Sequence, residues 1–157
     1  MEEVFQVERL PMAADLHTLR TTKFKTNLLA AVLQSDLSVD GATRNALLGQ
    51  VLRRGTRRWP NTADFMRNLD DLYGTSVTAD VAKKGERHML MFAVGVVNDA
   101  YLGGGDEMLR KGFGILRELM VEPAAEGSGL RADYVAHEKI NLRRRIESIL
   151  DDKQAYA

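Results

Sequence analysis

The segment from Thr75 to Val97 constrains the fold of this chain most. Val77, Ala79 and Val81 alternate with polar residues, the period of a strand with one face buried. Lys83-Lys84-Gly85-Glu86 then offers a turn, and His88 to Val97 follows as a second apolar-rich run. Two such runs about a glycine-bearing turn predict a β-hairpin. A hairpin alone is marginal in water, so the rest of the chain must cover its apolar face.

The flanking segments supply those layers. Leu16 to Thr21 and Asn27 to Leu33 are short apolar runs, separated by the basic turn Thr22-Lys23-Phe24-Lys25-Thr26, and read as two more strands. Residues 41–54 read as a helix with a stripe of Leu47, Leu48, Val51 and Leu52. Asp40 is its expected cap, Val39 a staple and Gly55 a left-handed stop. Pro60-Asn61 restarts the chain into a second helix with Phe65, Met66, Leu69, Leu72 and Tyr73 on one face, ended by Gly74.

Asn98 to Gly105 is an expected loop. Its Gly103-Gly104-Gly105 lacks the Lys-Ser/Thr of a phosphate loop and reads as a flexible connection. Asp106 to Val121 predicts a third helix, where Gly112 and Gly114 imply close packing on a sheet. After the surface connection Glu126-Gly127-Ser128-Gly129, a long polar helix runs from about Ala132, its stripe carried by Val135, Leu142, Ile146, Ile149 and Leu150. Strands, two helices, a hairpin and two helices predict an α+β fold, an antiparallel or mixed sheet with helices packed on it. The 157 residues make one module, 1–157. The helical pattern is still running at Gln154-Ala155-Tyr156-Ala157, so a longer chain is expected.

Composition removes whole classes of function. Lys plus Arg and Asp plus Glu balance at 22 each, so no global field favours nucleic acid or an anionic membrane. With no cysteine, thiolate zinc and thiol catalysis are excluded. MEEVFQVERL has neither a signal peptide's basic-then-apolar layout nor an Arg-rich transit composition, and no apolar run approaches the ~20 residues that span a bilayer. A cytoplasmic protein without nucleic-acid or membrane partners is expected. His17, His88 and His137 form no His-x-x-x-His pair and read as structural. Lys23 and Lys25, and Arg53, Arg54, Arg57 and Arg58, form two basic clusters that read as a solvated face, or as a contact for an acidic partner or substrate segment, with the flat apolar Trp59 beside the second cluster.

A family resemblance rests on three stretches. Thr43 to Thr56, TRNALLGQVLRRGT, resembles the place where the insulinase/pitrilysin-like zinc peptidases (inverzincins) carry G-x-x-H-x-x-E-H-M-x-F-x-G-T. DLYGTSVTADVAKKGERHMLMF is similar to the family's L-x-x-x-G-(G/A)-x-x-x-A-x-(T/V)-x-x-(E/D) segment. VEPAAEGSGLRADYVAHEKINLRRRIESILDDK is similar to its late helix ending E-I-x-x-x-x-D-D-P. Phe24-Lys25-Thr26 and Asp151-Asp152-Lys153 resemble marks of a zinc-less bacterial branch.

The resemblance implies the N-terminal module of a multi-module protein. Aligned on Gly55-Thr56, it puts Ala46 and Gln50 at the two histidines, Gly49 at the catalytic glutamate and Arg145 at the third ligand, with Glu138 as a retained supporting glutamate. Catalytic zinc needs three protein donors and a water whose proton a base can take. A methyl, a carboxamide, a bare backbone and a guanidinium supply neither, so no metal or other cofactor and no catalytic residue is expected. Arg145 has two readings: a solvated member of the Arg143-Arg144-Arg145 run, or a cation folded back on Glu138, about 10 Å away along the helix.

The expected function is that of a non-catalytic subunit, building a chamber for an extended peptide or protein substrate with a zinc-bearing sibling. Trp59, Arg57 and Arg58 are candidate peptide or partner contacts, and the hairpin of residues 75–97 is the expected pairing edge. The alternatives are an active zinc metalloendopeptidase with relocated ligands and a stand-alone α+β binding or scaffold domain.

Overall fold

The computed structural model describes residues 4–11, 14–103, 105 and 107–151, with the backbone alone for 149–151. Val4–Leu10 (β1) and Ala14–Arg20 (β2) form a separate antiparallel ribbon. Thr26–Asp36 (β3) opens the main sheet, followed by helices Val39–Leu52 (α1) and Thr62–Asp71 (α2). Ser76–Lys84 (β4) and Arg87–Val97 (β5) are the expected hairpin, closed by Gly85-Glu86 with Gly85 at φ +59°. A 3-10 turn over Asp99–Tyr101 leads to Met108–Val121 (α3). A short ribbon, Ala125–Glu126 (β6) with Gly129–Leu130 (β7), precedes Ala132–Asp151 (α4).

The main sheet has the order β3-β5-β4, antiparallel throughout. Leu90, Phe92, Val94 and Val96 of β5 point to one face and, with Leu29 and Ala79, form the core with Phe65, Leu69, Met108, Ile115 and Leu119 of the helices. The opposite face carries Leu28 and Val32, 74% and 49% exposed, so the helices cover one side only. This is the α+β architecture read from the sequence.

Several local expectations need correction. β1 adds a strand that the sequence reading does not predict, paired with β2 from Val4 to Leu10. Ser38, not Asp40, caps α1: its Oγ accepts from Gly41 N at 3.1 Å. Val39 is 87% exposed and staples nothing. Gly55 does not adopt a left-handed conformation; its need is steric, since a Cβ there would lie 2.5 Å from Trp59 O.

Met66 and Tyr73 lie off the buried face of α2, which is carried by Phe65 and Leu69. α3 starts at Met108, where Met108 N donates to Asp99 Oδ1 at 2.8 Å. Gly112 does pack closely, a Cβ there meeting Leu29 Cδ1 at 2.6 Å, but nothing approaches Gly114. Gly104, the ends 1–3 and 152–157, and the side chains of Ile149 and Leu150 lie outside the described residues.

At the start of α4, the Arg131 guanidinium hydrogen-bonds Asp133 and holds its carboxyl below the ordinary range against the cost of desolvation. Tyr134 and Arg131 both donate to Pro60 O, tying α4 to the turn after α1. No helix among the described residues is long and apolar enough to cross a membrane.

Candidate functional site

α1 packs against the β4 end of the sheet and against α4, and a cavity of about 310 Å³ remains between α1, β4 and α4. Its shape follows from small residues on α1. Ala46 and Gln50 are one turn apart on one helix face, and Gly49 lets the helix approach the sheet. A Cβ at Gly49 would already stand 3.2 Å from Leu90 Cδ1 and 3.3 Å from Ala79 Cβ. A glutamate there would have to force those neighbours apart.

α4 supplies the opposite wall through Glu138, Asn141, Leu142, Arg145 and Ile146. Their spacing of i, i+3, i+4, i+7 and i+8 is that of one helix face. The structure therefore brings Ala46, Gly49, Gln50, Glu138 and Arg145 together around one space. Trp59 lines a different depression with Asp64, Arg67, Asn68 and Asp71, and Arg58 stacks on its ring at 5.4 Å. Arg57 and Arg58 are exposed on that same turn.

Glu138 is buried, and its charge is met by Arg54 rather than Arg145. Arg54 Nε donates to Glu138 Oε1 at 2.5 Å, with Nη2 also at 2.5 Å, and Asn141 Nδ2 donates to Oε2 at 3.3 Å. Arg54 stands one turn beyond Gln50, on the face that carries Ala46 and Gln50, and its guanidinium lies 5.9 Å from the Tyr134 ring centre. The signal was that i+4 spacing, masked by the basic run in which Arg54 sits. Arg145 is exposed at the rim and makes no ion pair among the described residues, so the folded-back pair with Glu138 is not formed.

Gln50 is also occupied. Its Nε2 donates to Ala79 O at 3.3 Å, and its Oε1 accepts from Arg53 at 3.3 Å. Among the described residues, no three His, Cys, Asp or Glu side chains gather where they could hold a metal. His88 is buried with Nδ1 3.0 Å from Asn45 Nδ2, His17 lies against Phe5, and His137 is exposed, so the three histidines do not meet.

β4 is an edge strand, and its open side borders the cavity. In a two-residue hairpin the flanking pair, here Lys84 and Arg87, exchanges both hydrogen bonds, and hydrogen-bonded and non-bonded pairs then alternate. The N–H and C=O of Val77, Ala79, Val81 and Lys83 consequently point away from β5. Gln50 uses one of them, Ala79 O.

The structure thus defines an α+β module with a cavity between α1, β4 and α4, in which Gln50 and Glu138 are already partnered within the chain. No family model matches the sequence. The chain is 45% identical over 141 residues to a protein of Bacillus subtilis (strain 168) described as "Probable inactive metalloprotease YmfF". That match covers 90% of this chain and 33% of the relative, so the chain spans about a third of the length of the curated relative it matches. Its fold is similar to the crystal structure of a conserved protein from Enterococcus faecalis V583, with a TM-score of 0.84 and 31% identity over 90% of this chain and 33% of that one.

Proposed function

We propose that this chain is a non-catalytic module of an insulinase-like metallopeptidase assembly. It walls a chamber and holds an extended peptide while a zinc-bearing sibling subunit cleaves it. One observation carries the reading: the positions where the resemblance expects two histidines, a glutamate and a third ligand surround one cavity, and they present Ala46, Gln50, Gly49 and Arg145. The Bacillus relative, described as an inactive metalloprotease, supports the same direction.

The chain's own groups are suited to holding rather than cutting. The free backbone groups of β4 can accept a further strand, which supplies affinity through main-chain hydrogen bonds. Gln50 on Ala79 O and Arg54 on Glu138 keep the donors next to that edge fixed.

Co-expression with the zinc-bearing neighbour from the same genome tests the proposal. The two chains should co-purify at one to one with one zinc per pair, and peptide hydrolysis should require both. Chelator-sensitive hydrolysis by this chain alone, or a sibling indifferent to its presence, would sink the reading.

A further inference from the structure

Peptide addition to β4 would bring one peptide side chain directly over the cavity. A residue opposite Val81 on an added strand points to the same face as Val81, the helix-covered face. That face opens into the space between Gln50, Leu90 and Leu142. The ladder would start at Val81 and run toward Lys83, because Gln50 already occupies Ala79 O.

The size and chemistry of the space select what enters it. An apolar cavity of ~150 Å³ suffices to accept a benzene ring. The present one, at about 310 Å³, therefore accommodates a leucine or phenylalanine side chain with room for its stem. Leu90, Leu142, Ile146, Val81 and the methyl of Ala46 form apolar walls. Glu138, the buried carboxylate at the cavity, is paired with Arg54.

Charge on the helix side is then positive. Arg145 is exposed at the rim, and Lys83 is exposed on the same strand edge. Asp80 also borders the cavity, but strand alternation directs its side chain to the opposite face of the sheet.

We propose that the cavity at Ala46, Gln50 and Arg145 is a side-chain pocket. An extended acidic peptide adds to β4 at Val81 and seats one large apolar side chain where the resemblance would put a metal. Arg145 and Lys83 attract the acidic residues that flank it. This rests on the reading of β4 as a peptide-binding edge, and it makes the loss of the ligands a gain of specificity.

The test uses synthetic decapeptides of alternating threonine and glutamate with a central leucine, the same peptides with central alanine, and backbone N-methylated versions, titrated calorimetrically. The leucine peptide should bind about tenfold tighter than the alanine one. Filling the space with Ala46→Phe, or independently with Leu142→Trp, should bring that ratio within twofold. Arg145→Glu should weaken both peptides alike, by roughly three- to tenfold.

Equal binding of the two peptides to the unmodified protein, or a ratio that survives both fillers, overturns the pocket. N-methylation that abolishes binding at the same time would leave the edge reading standing. Binding that tolerates N-methylation overturns the edge and with it the placement at Val81, and failure of every peptide to bind overturns both.

Discussion

The middle of α1 and the turn just beyond its end have opposite characters. In the turn, Gly55 and Thr56 are buried and crowded. Thr56 N donates to Trp59 O at 3.0 Å, its Oγ1 donates to Glu118 Oε2 at 3.0 Å and accepts from Trp59 N at 3.1 Å, and its backbone bridges to Pro123. In the middle of α1, Ala46 and Gln50 border the cavity, while Gly49 lines it and packs closely on Leu90 and Ala79. The turn is fixed by packing and hydrogen bonds that no substitution leaves intact. The middle leaves room at Ala46 and a close approach to the sheet at Gly49.

The largest expected effect breaks the crowded end. Gly55→Ala places a methyl 2.5 Å from a backbone oxygen that cannot rotate away, and should cost about 3 kcal/mol in urea unfolding. A loss below about 1 kcal/mol would mean that the turn yields and the contrast is overstated.

Between the two regions stands Arg54. Arg54→Ala leaves the buried Glu138 carboxylate with Asn141 alone, and should cost about 2 kcal/mol, less than a fully buried pair because the arginine is 30% exposed. Adding Glu138→Gln should recover about half of that loss. If the double variant is no more stable than the single one, the charge is not what Arg54 serves.

The smallest effect sharpens the other side. Ala46→Leu adds three carbons to the cavity where Gly55 cannot take one, and should raise stability by roughly 0.5–1 kcal/mol. Destabilisation on a thermal melt would show that the space is not open to a side chain from α1.

Much of the architecture was legible because it depends on period. Alternation across Val77, Ala79 and Val81 and the turn at Gly85 specified the hairpin, although Lys83 and Lys84 belong to β4 and not to the turn, and the helices followed from their stripes. Errors fell where two equivalent local signals competed or where a reason was distant. Ser38 and Asp40 are both good caps, and the choice is made by Leu37, whose N–H bonds Glu86 O across the sheet and sets where the helix begins. Gly55 was rightly singled out for the wrong cause, a left-handed turn in place of a close backbone approach. Arg54 was hidden inside a run of arginines whose other members are exposed, as Arg53, Arg57 and Arg58 are.

From its order of residues alone the chain settled its α+β class and the donor types present at positions 46, 49, 50 and 145, since a side chain's chemistry does not depend on its surroundings. Which cation neutralises Glu138, which strand edge stays open and whether the gap between α1 and α4 closes were decided only by tertiary packing. The Arg54–Glu138 pair joins residues 84 apart, and such a contact exists only once α4 has been set against α1. Local patterns fix what each group can do; the distance to its partner fixes what it does.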